Sequence, residues 1–218
     1  AAGTRFLPVQ SSFPVQSLKS GEGRDGTGPS TFRLSTYPVL AVDVSTGPCD
    51  GRRYVVWSDQ PGALDTDVET LLRFSDDGLA WSAPVTVNDV SDGDQVMPWI
   101  DVDPSGGVHV VWYDRRNDPT NRLLDVYYAY SADCGQTFLP NVRVTERAFD
   151  GDLGHHQSGD PFIGDYIGLD TTDVSAHILW ADTRHTGEAG RETGSDVYAA
   201  TLLRDLSGRA VFDAALLR

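Results

Sequence analysis

The segment Asp125–Val144, with the sequence DVYYAYSADCGQTFLPNVRV, decides the fold of this protein. Its first part is rich in tyrosine and favours a β-strand, and the apolar residues near Val144 favour a second strand. Between them, Gly135 allows backbone conformations that other residues disfavour, and Asp133 can accept hydrogen bonds from the amides of its own turn. The segment therefore predicts a β-hairpin.

Most of the remaining sequence repeats this hairpin within four-stranded units. Each unit has an apolar strand that ends at an aspartate, a strand that closes on Trp-x-Asp, a strand that starts at an acidic residue, and a final strand. The Trp-x-Asp strands contain Trp57, Trp112 and Trp180, which are expected to lie in the core between neighbouring units. Four-stranded units in series are typical of the blades of a β-propeller.

The sequence thus predicts an all-β propeller of four-stranded antiparallel blades at residues 36–90, 91–148 and 149–218, the last strand falling at Ala210–Ala214. Residues 1–35 are expected to hold the outer strand of a preceding blade and a loop. Propellers usually have at least four blades, so this chain is expected to be part of a ring of six. Other blades, or another subunit, would complete that ring if the chain is a fragment, a processed piece or one half of an assembly.

Composition narrows the range of partners. The chain has 32 acidic and 17 basic residues and a formal net charge of -15, which disfavours binding to nucleic acid or to an anionic membrane surface. No apolar run approaches the roughly 18 to 20 residues that a membrane-spanning helix needs. The two cysteines, Cys49 and Cys134, lack zinc-site spacing, and a single disulfide is possible.

The turn Ser131–Phe138 resembles the Asp-box of sialidase-like bacterial β-propellers, and Ser75–Trp81 resembles a shorter copy of it. The resemblance implies an extracellular, periplasmic or cell-surface protein that recognises or hydrolyses a glycan, as an exo-glycosidase of the sialidase type if it is an enzyme. The same turn occurs in non-catalytic propellers, so a scaffold or interaction module in a larger surface assembly is the alternative.

The resemblance also implies that the Asp-box turns lie on the face opposite the ligand site. The connection that contains Cys49 shares the Asp-box face, so Cys49 could reach Cys134. One cysteine is expected near the inner strands and the other near the rim, and two free thiols remain the alternative.

Arg116 and Arg184 occupy equivalent positions, four residues after a repeat tryptophan. By the resemblance they could bind a carboxylate, as the arginines of sialidases do. The alternative is that each arginine pairs with the acidic residue that opens the next strand, Arg116 with Asp125 and Arg184 with Asp196.

Tyr166 is the candidate nucleophile that the resemblance implies. A tyrosine needs a neighbouring carboxylate as its base, and Asp165 and Asp160 lie nearby in the sequence, while Asp101 and Asp165 are candidate general acids. The alternative is that Tyr166 is an ordinary inner-strand aromatic residue, equivalent to Trp99.

Two further kinds of site are expected at the same face. Trp99 and Tyr113 are candidate stacking surfaces for a sugar, although both could equally belong to the core. No cofactor is required, but Asp150, Asp152 and Asp160 lie in a glycine-containing loop with adjacent histidines and could bind calcium. A solvated acidic loop is the alternative.

Overall fold

The computed structural model describes residues 37–60, 67–157, 160–188 and 194–204, and of residues 155–157 and 160 only the backbone. Within these ranges the regular structure is almost entirely antiparallel β-sheet, as predicted. The strand expected at Ala210–Ala214 and the strand expected within residues 1–35 lie outside the described residues. Among the described residues, no helix is long and apolar enough to cross a membrane.

Blades 1 and 2 each contain four strands, and each strand pairs with the next one along the chain. The strands of blade 1 are β1 (Val39–Val42), β2 (Arg53–Asp59), β3 (Glu69–Ser75) and β4 (Val85–Thr86). The strands of blade 2 are β5 (Gln95–Val102), β6 (Val108–Asp114), β7 (Leu123–Ser131) and β8 (Val142–Arg143).

A connection with short elements leads from blade 2 to blade 3. It contains β9 (Phe149–Asp150), which pairs with β7, a 3₁₀ turn (Gly151–Leu153), and the paired strands β10 (His155–Gln157) and β11 (Asp160–Phe162). The described part of blade 3 has three strands, β12 (Gly168–Thr172), β13 (Ser175–Asp182) and β14 (Asp196–Leu203).

Side chains that alternate along the strands give blade 2 two apolar faces. In β6, Val110 and Trp112 belong to the core between blades 1 and 2, whereas Val111 and Tyr113 belong to the core between blades 2 and 3. Trp180 enters the second core, so the prediction that the repeat tryptophans form the inter-blade core is confirmed for Trp112 and Trp180.

The connections between strands fall at two ends of the blades, because neighbouring strands run in opposite directions. We call one the turn end, where β1 connects to β2, β3 to β4, β5 to β6 and β7 to β8. We call the other the loop end, where β2 connects to β3, β6 to β7 and β13 to β14, and where one blade leads into the next.

At the turn end, a serine and an aspartate organise two equivalent turns. Ser131 Oγ accepts the amide N–H of Gly135 at 2.9 Å and that of Asp133 at 3.4 Å, and Asp133 Oδ1 accepts two more amide N–H groups at 3.1 and 2.9 Å. In the shorter copy, Ser75 and Asp77 accept amide N–H groups in the same way, although the turn has one residue fewer. Each aspartate thus satisfies donors that the hairpin turn would otherwise leave to solvent.

A disulfide joins blades 1 and 2 at the turn end. Cys49, in the connection from β1 to β2, is bonded to Cys134, in the turn between β7 and β8, with the two Cα atoms 6.3 Å apart. The Arg52 guanidinium supports this contact, because it donates to the carbonyl oxygen of Cys134 at 3.2 Å and to Asp76 Oδ1 at 2.7 Å. The structure therefore has the disulfide rather than two free thiols, since the connection after β1 extends to the neighbouring blade.

Replacing Cys49 and Cys134 with serine should lower the free energy of unfolding by about 2–4 kcal/mol, because the bridge restricts the unfolded chain. Urea unfolding of the oxidised wild type and of the double variant at one pH measures this difference. The reduced wild type should behave like the variant. Equal unfolding midpoints for the oxidised and reduced wild type would contradict the bridge.

Candidate functional site

Three aromatic residues meet at the loop end, where the inner strands of the blades begin. The ring of Tyr166 lies 6.1 Å from that of Trp99, edge to face, and 5.9 Å from that of Tyr37. Tyr166 is 64% exposed and Tyr37 is 36% exposed, and Trp99 is partly exposed. Large aromatic residues that remain exposed as a group indicate a binding surface rather than core. We call these three residues the aromatic cluster.

A bulge in β5 sets the direction of Trp99. Val96 pairs with Tyr113 and Trp99 pairs with Val111, so Met97 and Pro98 both lie opposite the single residue Trp112. Met97 has a φ of 53°, which is unusual for a residue other than glycine. Bulges bend a strand and redirect side chains, and this one brings Trp99 to the side of β5 that faces blade 3.

Tyr166 is held on the surface by buried neighbours. Ile163 and Ile167 are both in the core between blades 2 and 3, and the chain between them exposes Tyr166. Gly164 has a φ of 100°, a conformation that favours glycine. The buried isoleucines therefore fix the exposed ring where it touches Trp99.

The strand registers correct the expected equivalence of Tyr166 and Trp99. Trp99 pairs with the residue before the tryptophan of its blade, and Gly168 does the same in blade 3. Tyr166 precedes β12 by two residues and is instead equivalent to Tyr37, which precedes Val39 by two residues. Tyr37 was not among the sequence-predicted residues, and the signal for it was an aromatic residue just before the first inner strand.

Two carboxylates belong to residues that are within two positions of the aromatic cluster in the sequence. Asp165 precedes Tyr166 and is partly buried. Asp101 is two residues after Trp99, on the same face of β5, and its Oδ2 accepts a hydrogen bond from Thr171 Oγ1 of blade 3 at 2.7 Å. The immediate surroundings of the cluster are therefore aromatic and acidic.

Arg116 points toward the outer strands. Its guanidinium donates to Asp114 Oδ2 at 2.9 Å and to Asp89 Oδ1 at 2.6 Å, and it lies 4.2 Å from the centre of the Tyr127 ring in β7. A further hydrogen bond goes to Asn141, just before β8. Burial alone would lower the pKa of Arg116, but the hydrogen bonds and charges of Asp114 and Asp89 raise it, so Arg116 stays charged.

Arg184 has the same arrangement in blade 3. It donates to Asp182 through Nε at 2.9 Å, and its guanidinium lies 4.2 Å from the ring centre of Tyr198 in β14. Burial would lower the pKa of Arg184, and the hydrogen bond and charge of Asp182 raise it. The side chains of Arg116 and Arg184 are 8% and 7% exposed. Each arginine is paired with the aspartate of its own Trp-x-Asp segment.

The pairing that the alternative interpretation expected for these arginines differs from the one observed. Asp125 receives hydrogen bonds from Arg143 at 2.8 Å and from Asn117 at 2.8 Å. The arginine side chains fold back onto the preceding strand end, because the Trp-x-Asp carboxylate is two residues away and fully buried.

Tyr113 lies in the core rather than at the surface. It is 1% exposed, and its hydroxyl accepts the N–H of Ala181 in blade 3 at 3.1 Å. Burial raises the pKa of Tyr113 well above its usual range. Of the two candidate stacking residues, only Trp99 therefore has an accessible ring.

The acidic loop after blade 2 is organised by an arginine. Arg122 binds Asp150 Oδ2 at 2.6 Å and lies 3.8 Å from Asp152, and Asp150 also accepts the N–H of Asp152 in the 3₁₀ turn. The side chain of Asp160 is not among those described. The described residues contain no group of three or more potential metal ligands, and a calcium site here stays a prediction.

Comparison with known proteins gives matches among solved structures alone, since no family model and no curated protein matches the sequence. The chain is similar to the α-L-arabinofuranosidase Arb93A from Fusarium graminearum, with a TM-score of 0.53 and 16% identity over 85% of this chain and 50% of that one. It is also similar to an α-L-arabinanase from Penicillium chrysogenum, with a TM-score of 0.54 and 16% identity over 93% of this chain and 55% of that one.

The chain has the β-propeller fold of these glycosidases. It spans about half of the length of the solved structures it matches. The predicted resemblance to sialidase-like propellers is thus confirmed for the fold class only. At 16% identity the similarity concerns the architecture, and the chemistry has to be argued from the site.

Replacing Arg184 with alanine should lower the free energy of unfolding by about 2–3 kcal/mol, because it leaves the buried Asp182 carboxylate without its partner. Arg122→Ala is the matched control, since the Arg122–Asp150 pair is more exposed and should contribute less than about 1 kcal/mol. Thermal and urea unfolding of both variants test this. Equal small losses in both variants would show that Arg184 is not a structural residue.

Proposed function

We propose that the loop end of this propeller binds a glycan, and the aromatic cluster is the observation that carries this proposal. The faces of a sugar ring present C–H groups, which pack well on the electron-rich faces of aromatic rings. The ring of Tyr166 in blade 3 lies beside Trp99 of blade 2 and Tyr37 of blade 1, so the surface spans more than one blade. The similar structures support the choice of ligand class, because two of them are complexes with arabinobiose.

Hydrolysis of that glycan is the finer proposal. The hydroxyl of an exposed Tyr166 is accessible to a ligand that stacks on Trp99, and Asp165 or Asp101 would supply a base or an acid. Two substitutions of Tyr166 distinguish a role as nucleophile from a role as stacking surface. Phenylalanine keeps the ring and removes the hydroxyl, whereas alanine removes both.

We expect Tyr166→Ala and Trp99→Ala each to weaken binding of arabino-oligosaccharides at least about tenfold, the loss of one good aromatic contact. Tyr166→Phe should bind within about twofold of wild type. Isothermal titration calorimetry measures the affinities, and release of reducing sugar from a panel of glycans measures turnover. Turnover that disappears in Tyr166→Phe while binding persists would support a catalytic tyrosine.

Trp81→Ala is the control for these variants, because Trp81 lies in the turn between β3 and β4 at the opposite end of the blade. It should bind glycan like wild type. Equal losses in Trp81→Ala and Tyr166→Ala would indicate that the ligand binds elsewhere. Absence of binding to every glycan in the panel, with folding intact, would overturn the proposal.

The open face of blade 3 supports a second candidate, a scaffold role with a polypeptide partner. Val197 is 79% exposed and Leu179 is 52% exposed. By strand register, Val197 is equivalent to Val126 and Leu179 to Val111, and both equivalents are fully buried between blades 2 and 3. We propose that this face receives another blade of the same repeat, because the equivalent face of blade 2 does so.

When the 218-residue chain is the only protein in solution, a second copy of the chain can supply a blade to this face. Sedimentation equilibrium should therefore show self-association that Val197→Glu weakens at least about tenfold, because a charge would be buried in the contact. Leu79→Glu, which changes an exposed leucine at the turn end, should leave the association unchanged. A monomeric wild type, or an equal effect of both variants, would contradict this contact.

An extracellular or cell-surface location is also part of the proposal. The Cys49–Cys134 disulfide supports it, because such bonds persist in oxidising compartments.

A further inference from the structure

We infer that the glycan bound at the aromatic cluster is uncharged and carries no carboxylate where it contacts the protein. This inference rests on the proposed glycan-binding function of the same site and names its ligand class. It departs from what the sequence resemblance implied, since a sialidase-type site is built to hold a carboxylate with arginines.

A carboxylated sugar needs a guanidinium that is directed at the bound ring and available to it. Arg116 and Arg184 are directed away from the inner strands that hold the cluster, because their stacking partners, Tyr127 and Tyr198, lie in the third strands of their blades. Arg116 reaches even further outward, to Asn141 beside the outermost strand.

Buried aspartates hold these arginines in place. Asp114 and Asp182 are fully buried, and each is also bonded to the indole N–H of its blade, at 2.8 and 3.0 Å. Turning an arginine toward a ligand would leave a buried carboxylate without its cation, which is strongly unfavourable. The geometry therefore opposes recruitment of these arginines after binding.

Two other described arginines at the loop end of blade 2 are also paired with aspartates. Arg115 is 2% exposed and paired with Asp94, and Arg122 is paired with Asp150. Each of these cations is already matched by an aspartate. An anionic ligand would meet no spare positive charge among them. The exposed Arg147, between blades 2 and 3, donates instead to the carbonyl oxygen of Arg184 at 2.7 Å.

Acidic side chains lie close to the aromatic cluster along the chain. Asp165 is adjacent to Tyr166, and Asp101 is on the face of β5 that carries Trp99. A carboxylate on a sugar stacked between these rings would approach like charges on a protein whose formal net charge is -15. A neutral sugar avoids this repulsion and keeps the full benefit of stacking.

The test compares glycans with and without carboxylates on the wild-type chain. The neutral probes are arabino-oligosaccharides and lactose, and the anionic probes are oligogalacturonides and sialyllactose. We expect the best neutral probe to bind at least about tenfold more tightly than any anionic probe, with an affinity that changes less than about twofold between low and high salt. Calorimetric titration at two salt concentrations measures both quantities.

Two variants sharpen the comparison. Asp165→Asn should narrow the gap between neutral and anionic probes, because it removes a like charge, and an unchanged gap would refute the assigned repulsion. Arg116→Gln, checked for folding by circular dichroism, should leave neutral binding within about twofold, because Arg116 lies outside the site. Arg116→Lys keeps the charge and serves as a second variant if glutamine prevents folding.

The possible results separate this inference from the function on which it rests. Anionic probes that bind more tightly than neutral ones, and lose affinity in Tyr166→Ala and Arg116→Gln, would overturn the inference and leave glycan binding intact. Absence of binding by every probe would overturn both. Neutral binding that is lost in Tyr166→Ala and retained in Arg116→Gln is the expected result.

Discussion

The hydrogen bond between a buried indole and a buried carboxylate is the interaction on which the rest of this structure depends. In all three blades the tryptophan Nε1–H donates to the aspartate two residues later, at 3.2, 2.8 and 3.0 Å. The bond satisfies an N–H inside the apolar core, and the other carboxylate oxygen accepts the amide N–H that begins the next loop. Core packing and loop direction are therefore fixed by the same side chain.

This interaction also decides which groups are left for a ligand. The carboxylates of Asp114 and Asp182 bind Arg116 and Arg184, each two residues later in the chain, and a tyrosine of the next strand covers each guanidinium. The arginines therefore belong to the structural network of their blades. Near the start of the inner strands, the described residues include the aromatic cluster and two carboxylates, a surface that suits an uncharged sugar better than an acidic one.

The turn end and the loop end of the blades have different structural roles. At the turn end, a disulfide, Arg52 and the serine–aspartate turns join blade 1 to blade 2 and restrain the hairpins. At the loop end, the Met97 bulge and the buried isoleucines around Tyr166 hold exposed rings in fixed positions. A rigid turn end allows exposed aromatic residues at the loop end without loss of the overall fold.

The sequence by itself determined the four-stranded repeat, the Trp-x-Asp strand ends and the turn around Gly135, because strand alternation and turn chemistry are local properties. Tertiary structure alone decided that Tyr37 joins Trp99 and Tyr166, that Tyr113 is buried, and that Arg116 faces outward. These outcomes depend on strand register, on one bulge and on which blades are neighbours. The contacts of Tyr37 and Tyr113 join segments that are far apart in the chain. The direction of Arg116 depends on Asp89 and Tyr127 as well as on the nearby Asp114, so its neighbours in the sequence do not decide it alone.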